Sequence, residues 1–98
     1  MKYRETVTAT SKLINKFLRN EVHQGEDETI SKTIVFKDGM EMDVKCCGVK
    51  DENEGSWTEA VLFRNGSEVC CSEPDTEFFG EWRLEYNGNE YIAEVLPA

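Results

Sequence analysis

Residues 82–92 read Trp-Arg-Leu-Glu-Tyr-Asn-Gly-Asn-Glu-Tyr-Ile. Trp82, Leu84 and Tyr86 alternate with polar residues before Asn87-Gly88, and a second strand-like run follows it. This is the pattern of two strands joined by a two-residue turn. Strand-like runs also flank Lys37-Asp38-Gly39 and Arg64-Asn65-Gly66. The sequence therefore predicts three β-hairpins, over about residues 29–48, 56–72 and 79–96.

The N-terminal part of the chain has a helical period instead. Leu13, Ile14, Phe17 and Leu18 fall on one side of a helix, which we expect over about residues 8–23. One face of a sheet must pack against other apolar surface, and this stripe is available for it. The expected fold class is α+β, with the N-terminal helix packed on a curved six-stranded antiparallel meander of three hairpins. All 98 residues would form a single domain.

The formal net charge is −9, which disfavours direct binding to nucleic acid or to anionic lipid. The charge is uneven, because residues 1–24 carry a net +3 and residues 25–98 a net −12. In an up-and-down meander the tight turns lie at one end, and the connections between hairpins gather at the other. We expect nine carboxylates in these connections to form a partner-binding surface: Glu26, Asp27, Glu28, Asp51, Glu52, Glu54, Glu73, Asp75 and Glu77.

Further carboxylates fall on the predicted strands and extend the negative charge along the solvent face. Alternate residues on a strand repeat at about 6.6–6.8 Å, so rows of carboxylates can imitate a phosphate backbone in charge. The simpler interpretation is a solvated acidic surface without a partner. The strand carboxylates are Glu41, Asp43, Glu68, Glu81, Glu85, Glu90 and Glu94.

The four cysteines form two adjacent pairs, Cys46-Cys47 and Cys70-Cys71, at the ends of predicted strands. Both pairs would lie beside the acidic connections and near His23, and thiolates, imidazole and carboxylates are zinc ligands. Adjacent residues on a strand point to opposite faces, so a pair can share one ion only at a bulge or a strand end. Three interpretations stay open: a zinc site that uses all four cysteines, buried thiols, and disulfides.

The first residues lack the apolar run of a signal peptide, and no stretch is long enough to span a membrane, so we expect a cytoplasmic protein. No catalytic arrangement stands out, since His23 is the sole histidine and the hairpin turns account for the glycines that they contain. We therefore expect no enzymatic activity. A small enzyme or ligand-binding sheet around an internal pocket is a further alternative.

A short acidic chain without a catalytic motif or a targeting signal resembles the anti-CRISPR proteins of phages and mobile elements. The resemblance implies binding to a nucleic-acid-handling protein, such as a CRISPR-Cas nuclease, through its basic groove. The prediction is a non-enzymatic inhibitor that engages a basic, nucleic-acid-binding protein with an acidic surface. The alternative is a small zinc-binding module with a structural or regulatory role in a mobile element, built on the two cysteine pairs.

Overall fold

The computed structural model describes residues 2–19, 28–48, 56–74 and 80–98, without the side chains of Glu28 and Gly48. Within these ranges the chain forms seven strands and one short helix. In chain order they are β1 (Arg4–Ser11), α1 (Lys12–Leu18), β2 (Glu28–Val35), β3 (Glu41–Gly48), β4 (Trp57–Arg64), β5 (Ser67–Cys71), β6 (Glu81–Tyr86) and β7 (Asn89–Pro97).

The expected α+β fold with a six-stranded meander is wrong. Strands hold 67% of the described residues, and they form two sheets with the orders β1-β7-β6 and β2-β3-β4-β5. β1 precedes the helix and pairs in parallel with β7, so the chain does not run up and down through one sheet. The antiparallel pairs β2–β3, β4–β5 and β6–β7 occupy the segments in which hairpins were predicted, but they belong to two sheets.

The helix is much shorter than the expected residues 8–23, of which residues 20–23 lie outside the described part. It begins after Ser11, whose Oγ accepts a hydrogen bond from the Leu13 N–H at 3.0 Å. This is the geometry of an N-cap, which fixes the first turn. Residues 6–10, Thr-Val-Thr-Ala-Thr, are mostly β-branched and favour an extended strand. The segment that would begin the predicted helix is therefore the second half of β1.

The two Asn-Gly turns have the backbone that their sequence predicts. Asn65 and Gly66 have φ values of 52° and 80°, and Asn87 and Gly88 have 51° and 78°. Positive φ at both central positions is what a two-residue hairpin turn of the mirror-image type requires. Asparagine and glycine tolerate this conformation better than other residues, which explains their presence there.

The pairing registers give the molecule two distinct ends. The hairpin turns lie together at one end, here called the turn end, where the Tyr91 hydroxyl donates a hydrogen bond to Asp38 Oδ2 at 2.6 Å. The outer ends of the hairpins lie at the opposite end, here called the connector end. α1 leaves β1 at the connector end, where Leu13 and Ile14 are buried against the core.

The core lies between the inner faces of the two sheets. Phe36, Met42 and Tyr91 are among its largest fully buried side chains, and Trp82 is buried with them. β4 is an interior strand of the four-stranded sheet, in agreement with the apolar residues on both of its faces. No helix in the described ranges is long and apolar enough to cross a membrane.

Candidate interaction surface

The acidic connections fall mostly on residues that the structure does not describe. The strands on either side of these connections begin or end at the connector end, as the registers require. Of the nine predicted carboxylates, Glu73 is described and exposed, and the backbone of Glu28 begins β2. Outside the described residues lie Glu26, Asp27, Asp51, Glu52, Glu54, Asp75 and Glu77, together with the side chain of Glu28.

Three cations lie at the connector end. α1 carries Lys12 and Lys16, and Arg19 follows its last residue. The basic helix therefore lies at the same end of the molecule as the strand ends that flank the acidic connections.

The strand carboxylates divide between two surfaces, the outer faces of the two sheets. Alternation along the strands predicts that they point outward, but pairing decides which sheet each one joins. Glu59 is an outward carboxylate that was not predicted, because apolar residues on both faces of β4 concealed the alternation. It lies midway between Trp57 and Val61, which share its face, and this spacing could have identified it. The three-stranded sheet carries Glu81, Glu85, Glu90 and Glu94, and the four-stranded sheet carries Glu41, Asp43, Glu59 and Glu68.

Arginines neutralise part of the outer face of the three-stranded sheet. Glu90 Oε2 lies 3.4 Å from Arg4 Nε, and Glu90 Oε1 lies 3.0 Å from Arg83 Nη1. Arg83 Nη2 is also 3.5 Å from Glu81 Oε1. Hydrogen bonding to Glu90 raises the pKa of Arg83, so its guanidinium stays charged at any ordinary pH.

The outer face of the four-stranded sheet carries one cation, Lys45, among the described residues. Thr33 Oγ1 donates a hydrogen bond to Asp43 Oδ1 at 2.8 Å. One cross-strand row runs Val35, Glu41, Phe63, Glu68, so apolar and acidic side chains alternate from β2 to β5. None of the ion pairs between described residues involves a carboxylate of this face.

The two cysteine pairs do not come together, because β4 separates β3 from β5. Cys46 is buried in the core, whereas Cys47 is on the other face, with its Sγ 3.6 Å from Thr29 Oγ1. The Cys70 thiol donates to the carbonyl oxygen of Glu85 at 3.3 Å, where β5 meets β6. Cys71 is exposed.

These positions bear on the alternatives for the thiols. All four cysteines lie in the described part of the chain, and none is in a disulfide bond. Desolvation raises the pKa of Cys70, so this thiol is neutral at ordinary pH when no cation is bound. The described residues contain no group of three potential metal ligands, and His23 lies outside them. The zinc alternative stays a prediction without geometric support in the described ranges.

A pocket with a cavity volume of about 10 Å³ opens to solvent beside α1, between Phe17, Cys46 and Trp82. Ligand pockets usually enclose roughly 300–1,000 Å³ and offer a few convergent polar groups. This one is smaller, mostly apolar and continuous with solvent, so it gives no support to an internal ligand site.

A polar cluster at the turn end escaped the sequence reasoning. Glu5 accepts a hydrogen bond from the Lys37 backbone N–H at 2.9 Å and another from the Tyr3 hydroxyl. The bond to Glu5 raises the pKa of Tyr3 to about 12. Burial, followed by the bond to Asp38, raises the pKa of Tyr91. Both phenols are therefore donors rather than bases. The bonds of Tyr91 to Asp38 and of the Lys37 N–H to Glu5 tie the three-stranded sheet to the β2–β3 turn.

No family model, no curated protein and no solved structure matches this chain. Its function is therefore inferred from its own residues.

Proposed function

We propose that this protein is a non-enzymatic binding protein that inhibits or regulates a basic, nucleic-acid-binding protein, such as a CRISPR-Cas nuclease. The supporting observation is the charge balance on the outer faces of the two sheets. In the described strands these faces carry the eight carboxylates named above against three cations, Arg4, Lys45 and Arg83. A cationic groove built for phosphates would recognise such a surface.

The placement of these carboxylates opposes stability, which supports a role outside folding. Glu81 lies directly opposite Glu94, and Glu85 directly opposite Glu90. Like charges opposite each other on neighbouring strands destabilise a sheet. Arg83 lies in the row between these two pairs and contacts Glu81 and Glu90. It does not contact Glu85 or Glu94. These carboxylates do not stabilise the sheet, and recognition of a cationic partner would give them a function.

The proposed encounter is electrostatically steered and takes place in the cytoplasm. Opposite charge raises the association rate, and added salt lowers it. Four cysteines without a disulfide bond support a reducing compartment. The proposal includes no reaction.

The test is displacement of DNA from purified nucleic-acid-binding proteins: several Cas nuclease–guide complexes, a restriction endonuclease and a repressor. We expect the protein to displace DNA from at least one Cas complex, with an affinity that falls by about tenfold or more between about 100 mM and about 400 mM salt. Charge reversal of the connections should abolish the effect, either by Asp51→Lys, Glu52→Lys and Glu54→Lys or by Glu73→Lys, Asp75→Lys and Glu77→Lys. Displacement from none of the panel, or displacement indifferent to salt, would contradict the proposal.

A further inference from the structure

We infer that the outer face of the four-stranded sheet is the surface on which this partner docks, and that it takes a segment in which arginines or lysines alternate with apolar side chains. The inference rests on the proposed function and specifies the chemistry of the contact. It adds the strands β2 to β5 to the acidic connections as a contact surface.

Charge selects this face among the three acidic regions. On the three-stranded sheet, Arg4 and Arg83 already contact the carboxylates of Glu81 and Glu90. The connector end carries the helix cations Lys12 and Lys16. Among the described residues, the outer face of the four-stranded sheet has four carboxylates and one cation, Lys45, so a partner's cations would meet the least competition there.

Apolar exposure on the same face adds a second requirement. Val35 lies on the edge strand β2, and its side chain is 61% exposed. Phe63 and Trp57 are half-buried on the outer face of β4. Aromatic side chains with a polar surround are typical of the energetically dominant part of protein interfaces.

The alternation within one row gives the specificity. Neighbouring strands are about 4.8 Å apart, so Val35 and Phe63 are separated by about 9.6 Å with Glu41 between them. Glu68 follows Phe63 across the next strand. A polycation would pair only with the carboxylates of this row, and an apolar peptide would pack only against Val35 and Phe63. A segment with both kinds of side chain would contact all four residues of the row.

Two synthetic peptides of equal length and charge separate these contributions. One alternates arginine with phenylalanine and the other arginine with serine. Binding is followed by the fluorescence anisotropy of dye-labelled peptides at about 50 mM salt, a concentration at which exposed charges are weakly screened. We expect the phenylalanine peptide to bind about tenfold tighter than the serine peptide, since burial of apolar area adds to charge pairing.

A matched pair of charge reversals locates the binding site. Glu41→Lys with Glu68→Lys should weaken binding of the phenylalanine peptide by about tenfold or more. Glu81→Lys with Glu85→Lys changes the net charge equally on the other sheet and should weaken it by less than about threefold, because that face is remote from the bound peptide. Val35→Ser should remove most of the preference for phenylalanine. Equal effects of both reversals, or equal affinities of the two peptides, would overturn the inference.

The nuclease assay then separates this inference from the proposed function. If the reversal at Glu41 and Glu68 leaves DNA displacement intact while reversals in the connections abolish it, the docking face is wrong and the proposed function stands. If none of the acidic reversals affects DNA displacement, the proposed function itself fails, whatever the peptides show.

Discussion

The turn end and the connector end are stabilised by different kinds of interaction. At the turn end, directional hydrogen bonds join the sheets, from Tyr91 to Asp38 and from the Lys37 N–H to Glu5. At the connector end, Leu13 and Ile14 of α1 close the core by apolar burial. Apolar packing does not depend on surface charge. The packing at the connector end is therefore insensitive to charge, whereas the stability of the turn end depends on the polar groups of Tyr91, Asp38 and Glu5.

The largest expected effect tests the packing at the connector end. Leu13→Ala removes a buried side chain and should lower the free energy of unfolding by about 2–5 kcal/mol, through lost burial and the remaining cavity. Urea denaturation at low and high salt measures it, and we expect the same loss at both. Leu18→Ala is the matched control in the same helix: Leu18 is 50% exposed, so its loss should be below about 1 kcal/mol. Equal losses for the two variants would show that α1 does not close the core.

The next effect tests the hydrogen bonds at the turn end. Tyr91→Phe keeps the ring, which packs edge-on against Phe36 with centroids 5.1 Å apart, and removes only the hydroxyl. A hydrogen bond to a charged group contributes about 1.5–3 kcal/mol, and we expect a loss of this size in urea denaturation. Tyr86→Phe is the control, because the Tyr86 hydroxyl has no hydrogen-bond partner among the described residues. A loss from Tyr86→Phe as large as that from Tyr91→Phe would contradict the role assigned to Asp38.

Local signals in the sequence account for the parts of the fold that could be predicted. The Asn65-Gly66 and Asn87-Gly88 turns identify their hairpins because few other residue pairs adopt positive φ at both positions. β1 was missed because the apolar residues of the helix begin only two positions after it, and because its partner β7 is far along the chain. Parallel pairing of the first strand with the last leaves no short-range pattern.

The candidate surface was predictable to a similar extent. Alternation alone places Glu41, Asp43 and Glu85 on outward positions. It does not say that the first two belong to one sheet and the third to another, because that division follows from non-local pairing. The Tyr91–Asp38 bond spans 53 residues and has no signature in the sequence.

Alkaline pH should weaken the turn end selectively. The bond to Glu5 raises the pKa of Tyr3 from 10.0 to about 12, and burial, followed by the bond to Asp38, raises the pKa of Tyr91. A raised folded-state pKa contributes stability that is complete below pH 10.0 and is lost as the pH rises through the folded value. Unfolding free energies measured from about pH 8 to about pH 12 should therefore fall mainly above pH 10.0. Tyr3→Phe with Tyr91→Phe should flatten that fall, and an unchanged slope in the double variant would assign it to other groups.

The smallest expected effect concerns metal. A structural zinc ion contributes folding free energy directly, so its removal would lower the melting temperature by many degrees. Cys46 and Cys47 point to opposite faces of β3, and β4 separates them from Cys70 and Cys71. We therefore expect exhaustive chelation to change the melting temperature by less than about 2 °C. A larger fall that zinc reverses would contradict this expectation. It would also mean that the connector end depends on an ion in addition to the packing of α1, and the contrast between the two ends would then have to be redrawn.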